Sequence, residues 1–272
     1  MNAPVFLRQI LADKRREVAA RKKQLSLSAL VQRAVSAPPP RDFAAALQKA
    51  KAENRPPIIA EIKRRSPSKG LLRADFDAAD LATQYAEGGA TCLSVLTDAP
   101  HFGGDATHLS AARAACELPV LRKDFMLEEW QIYESRALGA DAVLLIAAAL
   151  SLADMQAMAQ AAQKMGMAVL TESHNAEELR AALLVADALI GINNRNLHTF
   201  ELSLQTAETL LPQARAAVPS CLTVAESGIH SFADAARLYD AGADAFLIGE
   251  AFMRAEHAGQ ALRRLFADWR RD

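Results

Sequence analysis

After Pro57 the chain repeats one pattern eight times: a short apolar run of β-forming residues followed by a longer Ala- and Leu-rich segment with helical spacing. The β-type runs fall at 57–63, 91–96, 119–122, 141–146, 167–171, 187–192, 220–225 and 244–249. The helical segments lie near 77–88, 105–115, 128–138, 151–165, 175–183, 203–211, 231–240 and 255–268. Alternation of this kind predicts a parallel sheet, because a helical crossover returns the chain to lay the next strand in the same direction. Eight units predict closure into an α/β fold of the (β/α)8 TIM barrel type. A doubly wound open sheet is the alternative, but no GxGxxG follows the first run to support it. The 272 residues, 51% of them hydrophobic, suit one barrel domain spanning residues 1–272.

Ahead of the repeats, residues 5–35 carry helical spacing of apolar positions, among them Leu7, Ile10, Leu11 and Val18, and Pro38-Pro39-Pro40 stops the pattern. Residues 1–45 are therefore expected to form an N-terminal helical extension. Its clusters Lys14-Arg15-Arg16 and Arg21-Lys22-Lys23 are interleaved with Asp13 and Glu17, which reads as a solvated helix face rather than a nucleic-acid patch. The formal charge of -1 gives no global field toward nucleic acid or an anionic membrane. Val5-Phe6-Leu7 is too short for a secretory core, and no run of about 18 uncharged apolar residues is present to span a bilayer. Cys92, Cys116 and Cys221 are widely spaced and form no CxxC pair, so neither a disulfide framework nor a zinc site is expected. A reducing cytoplasm fits them.

In a barrel of this type the C-terminal strand ends and the loops after them form the active site. Glu61 and Lys63 stand two residues apart at the end of the first run, a spacing that turns both charges to one face of a strand. Burying that pair would be costly unless the charges serve a ligand or each other. The basic Ser/Pro/Gly loop behind them, through Gly70, suits an anion. The third run ends Leu121-Arg122-Lys123-Asp124-Phe125, the fifth at Glu172, the sixth at Asn193-Asn194-Arg195, the seventh at Glu226-Ser227-Gly228 and the eighth at Gly249-Glu250. The last two follow the strands after which barrel enzymes frequently bind phosphate through backbone N–H groups. His101, His108, His174, His198, His230 and His257 are scattered and read as loop or cap residues, so no metal site is expected. Lysines and glutamates on one rim suggest acid–base chemistry on a carbonyl-bearing sugar phosphate, with a lysine donating a proton to a developing alkoxide. A lysine there could equally form a Schiff base, and sequence position does not separate the two.

The segments Glu61-Ile62-Lys63-Arg64-Arg65-Ser66-Pro67-Ser68, Leu93-Ser94-Val95-Leu96-Thr97-Asp98, Leu121-Arg122-Lys123-Asp124-Phe125, Ile190-Gly191-Ile192-Asn193-Asn194-Arg195-Asn196-Leu197 and Glu226-Ser227-Gly228-Ile229 resemble those of the indole-3-glycerol phosphate synthase family. The resemblance runs over nearly the whole chain. It implies a cofactor-free (β/α)8 enzyme of tryptophan biosynthesis that converts 1-(2-carboxyphenylamino)-1-deoxyribulose 5-phosphate to indole-3-glycerol phosphate with loss of carbon dioxide and water. It further implies that Lys123 is the general acid at the ketone oxygen, that Glu172 assists dehydration and that Lys63 is a second essential cation. Glu61, Asn193 and Glu226 would orient the substrate, with Ser66, Phe125 and Arg195 nearby. Ser227, Gly228, Gly249 and the Glu250 backbone would cradle the phosphate. The N-terminal helices would lie near the mouth and present cations such as Arg8 or Lys14 to the substrate anions. Association with other tryptophan-pathway enzymes is left open. The chain departs from the family pattern at His101-Phe102-Gly103-Gly104 and at Thr171-Glu172-Ser173. Rival readings are another sugar-phosphate barrel such as phosphoribosylanthranilate isomerase, which would not need Lys123 with Glu172, and a barrel that only binds a sugar phosphate.

Overall fold

The computed structural model describes residues 5–269. Eight parallel strands close into a barrel: β1 Ile58–Ile62, β2 Cys92–Leu96, β3 Val120–Lys123, β4 Ala142–Ile146, β5 Ala168–Ser173, β6 Leu189–Asn193, β7 Thr223–Glu226 and β8 Ala245–Ile248. They pair in chain order, and β8 returns to β1 with Ile59 opposite Leu247. Each strand overlaps the run expected for it. The fifth extends past residue 171 because Glu172 and Ser173 continue the ladder opposite Gly191 and Ile192.

Two helix expectations are corrected. The segment expected at 203–211 runs as Gln205–Ala217 with Pro212 inside it, since Leu210, Leu211 and Ala214 are buried on both sides of the proline and hold the helix to the sheet. The segment expected at 255–268 is helical over Ala258–Leu265, and a separate short helix, Glu250–Met253, precedes it directly after β8.

Three helices precede β1: α1 Val5–Gln24, α2 Leu27–Ser36 and α3 Phe43–Ala52. Ser26 and Asp42 start the second and third by accepting from the backbone N–H groups of Ala29 and Ala45. The third was not anticipated, and it runs past residue 45. Phe43 and Leu47 of α3 pack on Ile59, Cys92, Leu121, Leu144, Leu170, Val224 and Leu247, the apolar side chains that fill the barrel interior. Cys92 opens β2 and donates weakly to the Phe43 carbonyl, so α3 plugs the N-terminal end of the barrel. At the opposite end α1 lies across the mouth. A second and larger apolar layer seals the strands against the surrounding helices.

Candidate active site

Alternation along the strands builds the site in two steps. Residues two apart share a face, so the inward positions of β1, β3, β5 and β7 read Ile59 then Glu61, Leu121 then Lys123, Leu170 then Glu172, and Val224 then Glu226. An apolar layer thus underlies a charged layer one step nearer the mouth. Lys123 Nζ lies 2.7 Å from Glu226 Oε2, 3.3 Å from Glu172 Oε2 and 3.9 Å from Glu61 Oε2. Lys63, just beyond the end of β1, pairs with Glu61. Neighbouring strands leave room for these carboxylates. A Cβ on Gly191 would overlap Glu226 Oε1, and one on Gly249 would overlap Glu61 Oε1.

The electrostatics follow from the crowding of opposite charges in a dry interior. Burial would depress the Lys123 ammonium, but the charges of Glu226, Glu172 and Glu61 outweigh it and hold the group well above the ordinary lysine range. Burial would raise Glu172, yet Lys123 and His174 hold its carboxyl well below the ordinary range. Glu226 goes the other way: burial lifts it, and the charge of Glu172 adds to the lift against the pull of Lys123. Glu61, lifted by burial, is brought down by Lys63 and Lys123. Two carboxyls beside one ammonium therefore titrate apart, Glu172 as carboxylate and Glu226 as the proton holder. An amine held as ammonium is a proton donor rather than a nucleophile, which favours the acid reading of Lys123 over the Schiff base.

These groups form the floor of a cavity of about 1200 Å³, part of it open to solvent. One wall is apolar, made by Phe6, Leu7, Ile10, Phe102, Phe125 and Ile146. The facing wall carries Ser227, Gly228, Gly249 and Glu250, with Ser66, Asn193 and Arg195 beside it. Ser227 and Gly228 both take left-handed backbone angles, φ 66° and 78°, which bend the chain sharply out of β7 at the cavity edge. Arg195 is held by Ser68, by the Phe200 carbonyl and by Glu250 at 3.4 Å. The candidate catalytic and substrate-binding residues line this one cavity except Glu226, which is fully buried behind Lys123. Asn194, by contrast, is a brace, donating to the Ser227 carbonyl and accepting from the Ala207 N–H. Among the described residues no group of three or more His, Cys, Asp or Glu side chains could hold a metal ion.

The expected role of the N-terminal cations is corrected. Arg8 is exposed and does not line the cavity. Lys14, read as part of a solvated basic face, is 1% exposed and paired with Asp98 at 3.0 Å, Asp124 at 2.9 Å and Glu17 at 2.8 Å. The barrel supplies two carboxylates that water would otherwise solvate, and the lysine fastens α1 to them. What α1 shows to the cavity is apolar: Phe6, Leu7 and Ile10, whose i, i+1, i+4 spacing could have marked them. The departure at His101-Gly104 forms a short helix, Ala99–Phe102, in which Phe102 lines the cavity and His101 reaches Asp13 of α1 at 3.1 Å. His174 was also missed. It follows β5 with Nε2 3.2 Å from Glu172 Oε1 and Nδ1 2.9 Å from Glu178 Oε2, and glutamates two before and four after it were the available signal.

The model of the family described as "Indole-3-glycerol phosphate synthase" matches residues 7–265. The indole-3-glycerol phosphate synthase of Albidiferax ferrireducens is 55% identical over 262 residues, covering 96% of this chain and 98% of the relative. That of Azoarcus sp. (strain BH72) is 52% identical over 261 residues with the same coverage of 96% and 98%. Among solved structures, tryptophan synthase subunit alpha from Legionella pneumophila superposes with a TM-score of 0.62 at 16% identity, covering 84% of this chain and 98% of that one, a likeness of fold.

Proposed function

We propose a division of labour at the barrel mouth for this chain, which belongs to the indole-3-glycerol phosphate synthase family and is a carboxy-lyase of tryptophan biosynthesis. The substrate, 1-(2-carboxyphenylamino)-1-deoxyribulose 5-phosphate, has an aromatic end, a ketone in the middle and a dianionic end. The cavity is divided in the same way. The ring lies against Phe6, Leu7, Ile10, Phe102 and Phe125, and the phosphate lies against the backbone of Ser227, Gly228, Gly249 and Glu250, with Arg195 and Ser66 nearby. The ketone then stands over Lys123.

Lys123 gives a proton to the ketone oxygen as the ring carbon attacks, and loss of carbon dioxide restores the neutral ring. In the dehydration that follows, Glu172, ionised at neutral pH, takes a proton from the methylene carbon beside the anilino nitrogen, and the hydroxyl on the former ketone carbon leaves as water with the proton that Glu226 carries. Glu61 with Asn193 orients the hydroxyls and the anilino nitrogen. Lys63, paired to Glu61, is the cation at the mouth for the substrate carboxylate. The observation that carries this reading is one ammonium within 3.9 Å of three buried carboxyls at the floor of a half-apolar cavity. No helix among the described residues is long and apolar enough to cross a membrane, and the three cysteines are free. The cytoplasm is the location that goes with the reading.

The test is the appearance of indole fluorescence when the protein meets this substrate, compared with Lys123→Met. Losing a general acid costs about 10²–10⁴-fold in rate. The variant should lose kcat by that order while its melting temperature holds. A near-wild-type kcat at saturating substrate would remove Lys123 from the chemistry.

A further inference from the structure

We infer that His174 is a positioning residue which, clamped between Glu178 and Glu172, fixes Glu172 in the ionised form and aims its free oxygen at the cavity. The inference rests on the reading of Glu172 as the carboxylate of dehydration. Three observations carry it. First, Nδ1 hydrogen-bonds to Glu178 Oε2 at 2.9 Å, and Nε2 stands 3.2 Å from Glu172 Oε1, an ion-pair distance without hydrogen-bond alignment. A carboxylate only accepts, so Nδ1 carries a proton, and a bare Nε2 would set its lone pair against the Glu172 carboxylate; the ring is therefore an imidazolium. Second, the clamp is rigid. Glu178 Oε2 also accepts from the His174 backbone N–H at 2.8 Å, and Asn175 caps the helix Ala176–Ala182 that holds Glu178. Third, His174 stands on a partition. Glu172 lines the main cavity, whereas His174 and Glu178 line a second, adjoining one, and Asn193 and Arg195 belong to both.

The two oxygens of Glu172 are thereby divided. Oε1 lies 3.2 Å from the His174 ring behind it, and Oε2 points toward Lys123 at 3.3 Å. Lys123, Glu61 and Glu226 face Glu172 from the other strands, and Glu177, Arg195 and His198 are the further charged or titratable groups on the second cavity's wall. Burial works against the His174 charge, but the two glutamates raise the ring to about 9, so it stays charged across neutral pH.

His174→Gln keeps a hydrogen-bond donor and removes the charge. Removing one adjacent cation raises a carboxyl by about one pH unit or more. Glu172 starts well below the ordinary carboxylate range, so it stays ionised near neutral pH in the variant; what is lost is its aim, and kcat should fall about tenfold or more with KM little changed. Nitrogen-15 NMR of the full chain should show both His174 nitrogens protonated at pH 7.5, and Glu172→Gln and Glu178→Gln should each lower the ring's pKa. A neutral His174 ring at pH 7.5, or a wild-type kcat in folded His174→Gln, overturns the inference alone. Unchanged kcat in Glu172→Gln overturns the reading of Glu172 and the inference with it.

Discussion

Glu226 shows how much a single atom's space decides in this site. Its side chain is fully buried, it accepts from Lys123 at 2.7 Å, and its Oε1 occupies the volume that a side chain at residue 191 would fill. Gly191→Ala must therefore displace either Glu226 or strand β6. The carboxyl is the softer of the two, since moving it costs a rotamer whereas moving β6 breaks ladder hydrogen bonds. The variant should stay folded and lose at least tenfold in kcat, because misplacement of about 1 Å in a catalytic group can cost about 10²-fold. Wild-type kcat in folded Gly191→Ala would show that Glu226 has no role in the chemistry.

At the scale of elements, α1 is the part whose behaviour differs most from its sequence pattern. Its ring of lysines and arginines reads as a surface helix, and Arg15 and Arg16 are exposed. Lys14 is the exception, buried against Asp98 and Asp124 on the loops after β2 and β3. Asp124 is shared with Arg122, and Asp98 also caps the short helix Ala99–Phe102. Breaking a buried ion pair by removing one partner costs about 3–5 kcal/mol, since the other charge stays behind without compensation. Lys14→Ala should lower the melting temperature by several degrees. It should also raise KM more than it lowers kcat, because Phe6, Leu7 and Ile10 depend on α1 staying docked. A lowered melting temperature with unchanged KM would reduce α1 to a cover over apolar surface.

Across the whole molecule, stability and chemistry occupy opposite ends of the barrel. Phe43 and Leu47 of α3 seal the N-terminal end among apolar side chains, while the charged layer sits at the C-terminal end. Leu47→Ala should cost about 2–5 kcal/mol, as large-to-small changes in a packed core do. Urea titration would measure that loss, and kcat of the folded fraction should remain that of the wild type. A matching fall in kcat would mean that the two ends are coupled through the barrel interior.

The eightfold alternation was legible because strand and helix are local choices, written in periods of two and of 3.6 residues. The strand ends were legible for the same reason, and Glu61, Lys123, Glu172 and Glu226 were among the polar residues named there, their roles coming from the family resemblance. Three features were not legible. Lys14 looked solvated because its aspartates lie 84 and 110 residues away, on loops that no helical periodicity can reach. The α3 plug was hidden because Phe43 and Leu47 are only two apolar positions in a short stretch, and the barrel end they fill exists only once eight strands have closed. His174 resembled any loop histidine until the fold stood its ring between two glutamates. Residue types and their faces came from the chain's own pattern. Which opposite charges met, and so which groups hold protons, was decided by closure, which brings Lys123 and Glu226 to 2.7 Å across 103 residues. Coulomb energy in a buried site depends on that distance and on the water excluded around it, and local sequence specifies neither.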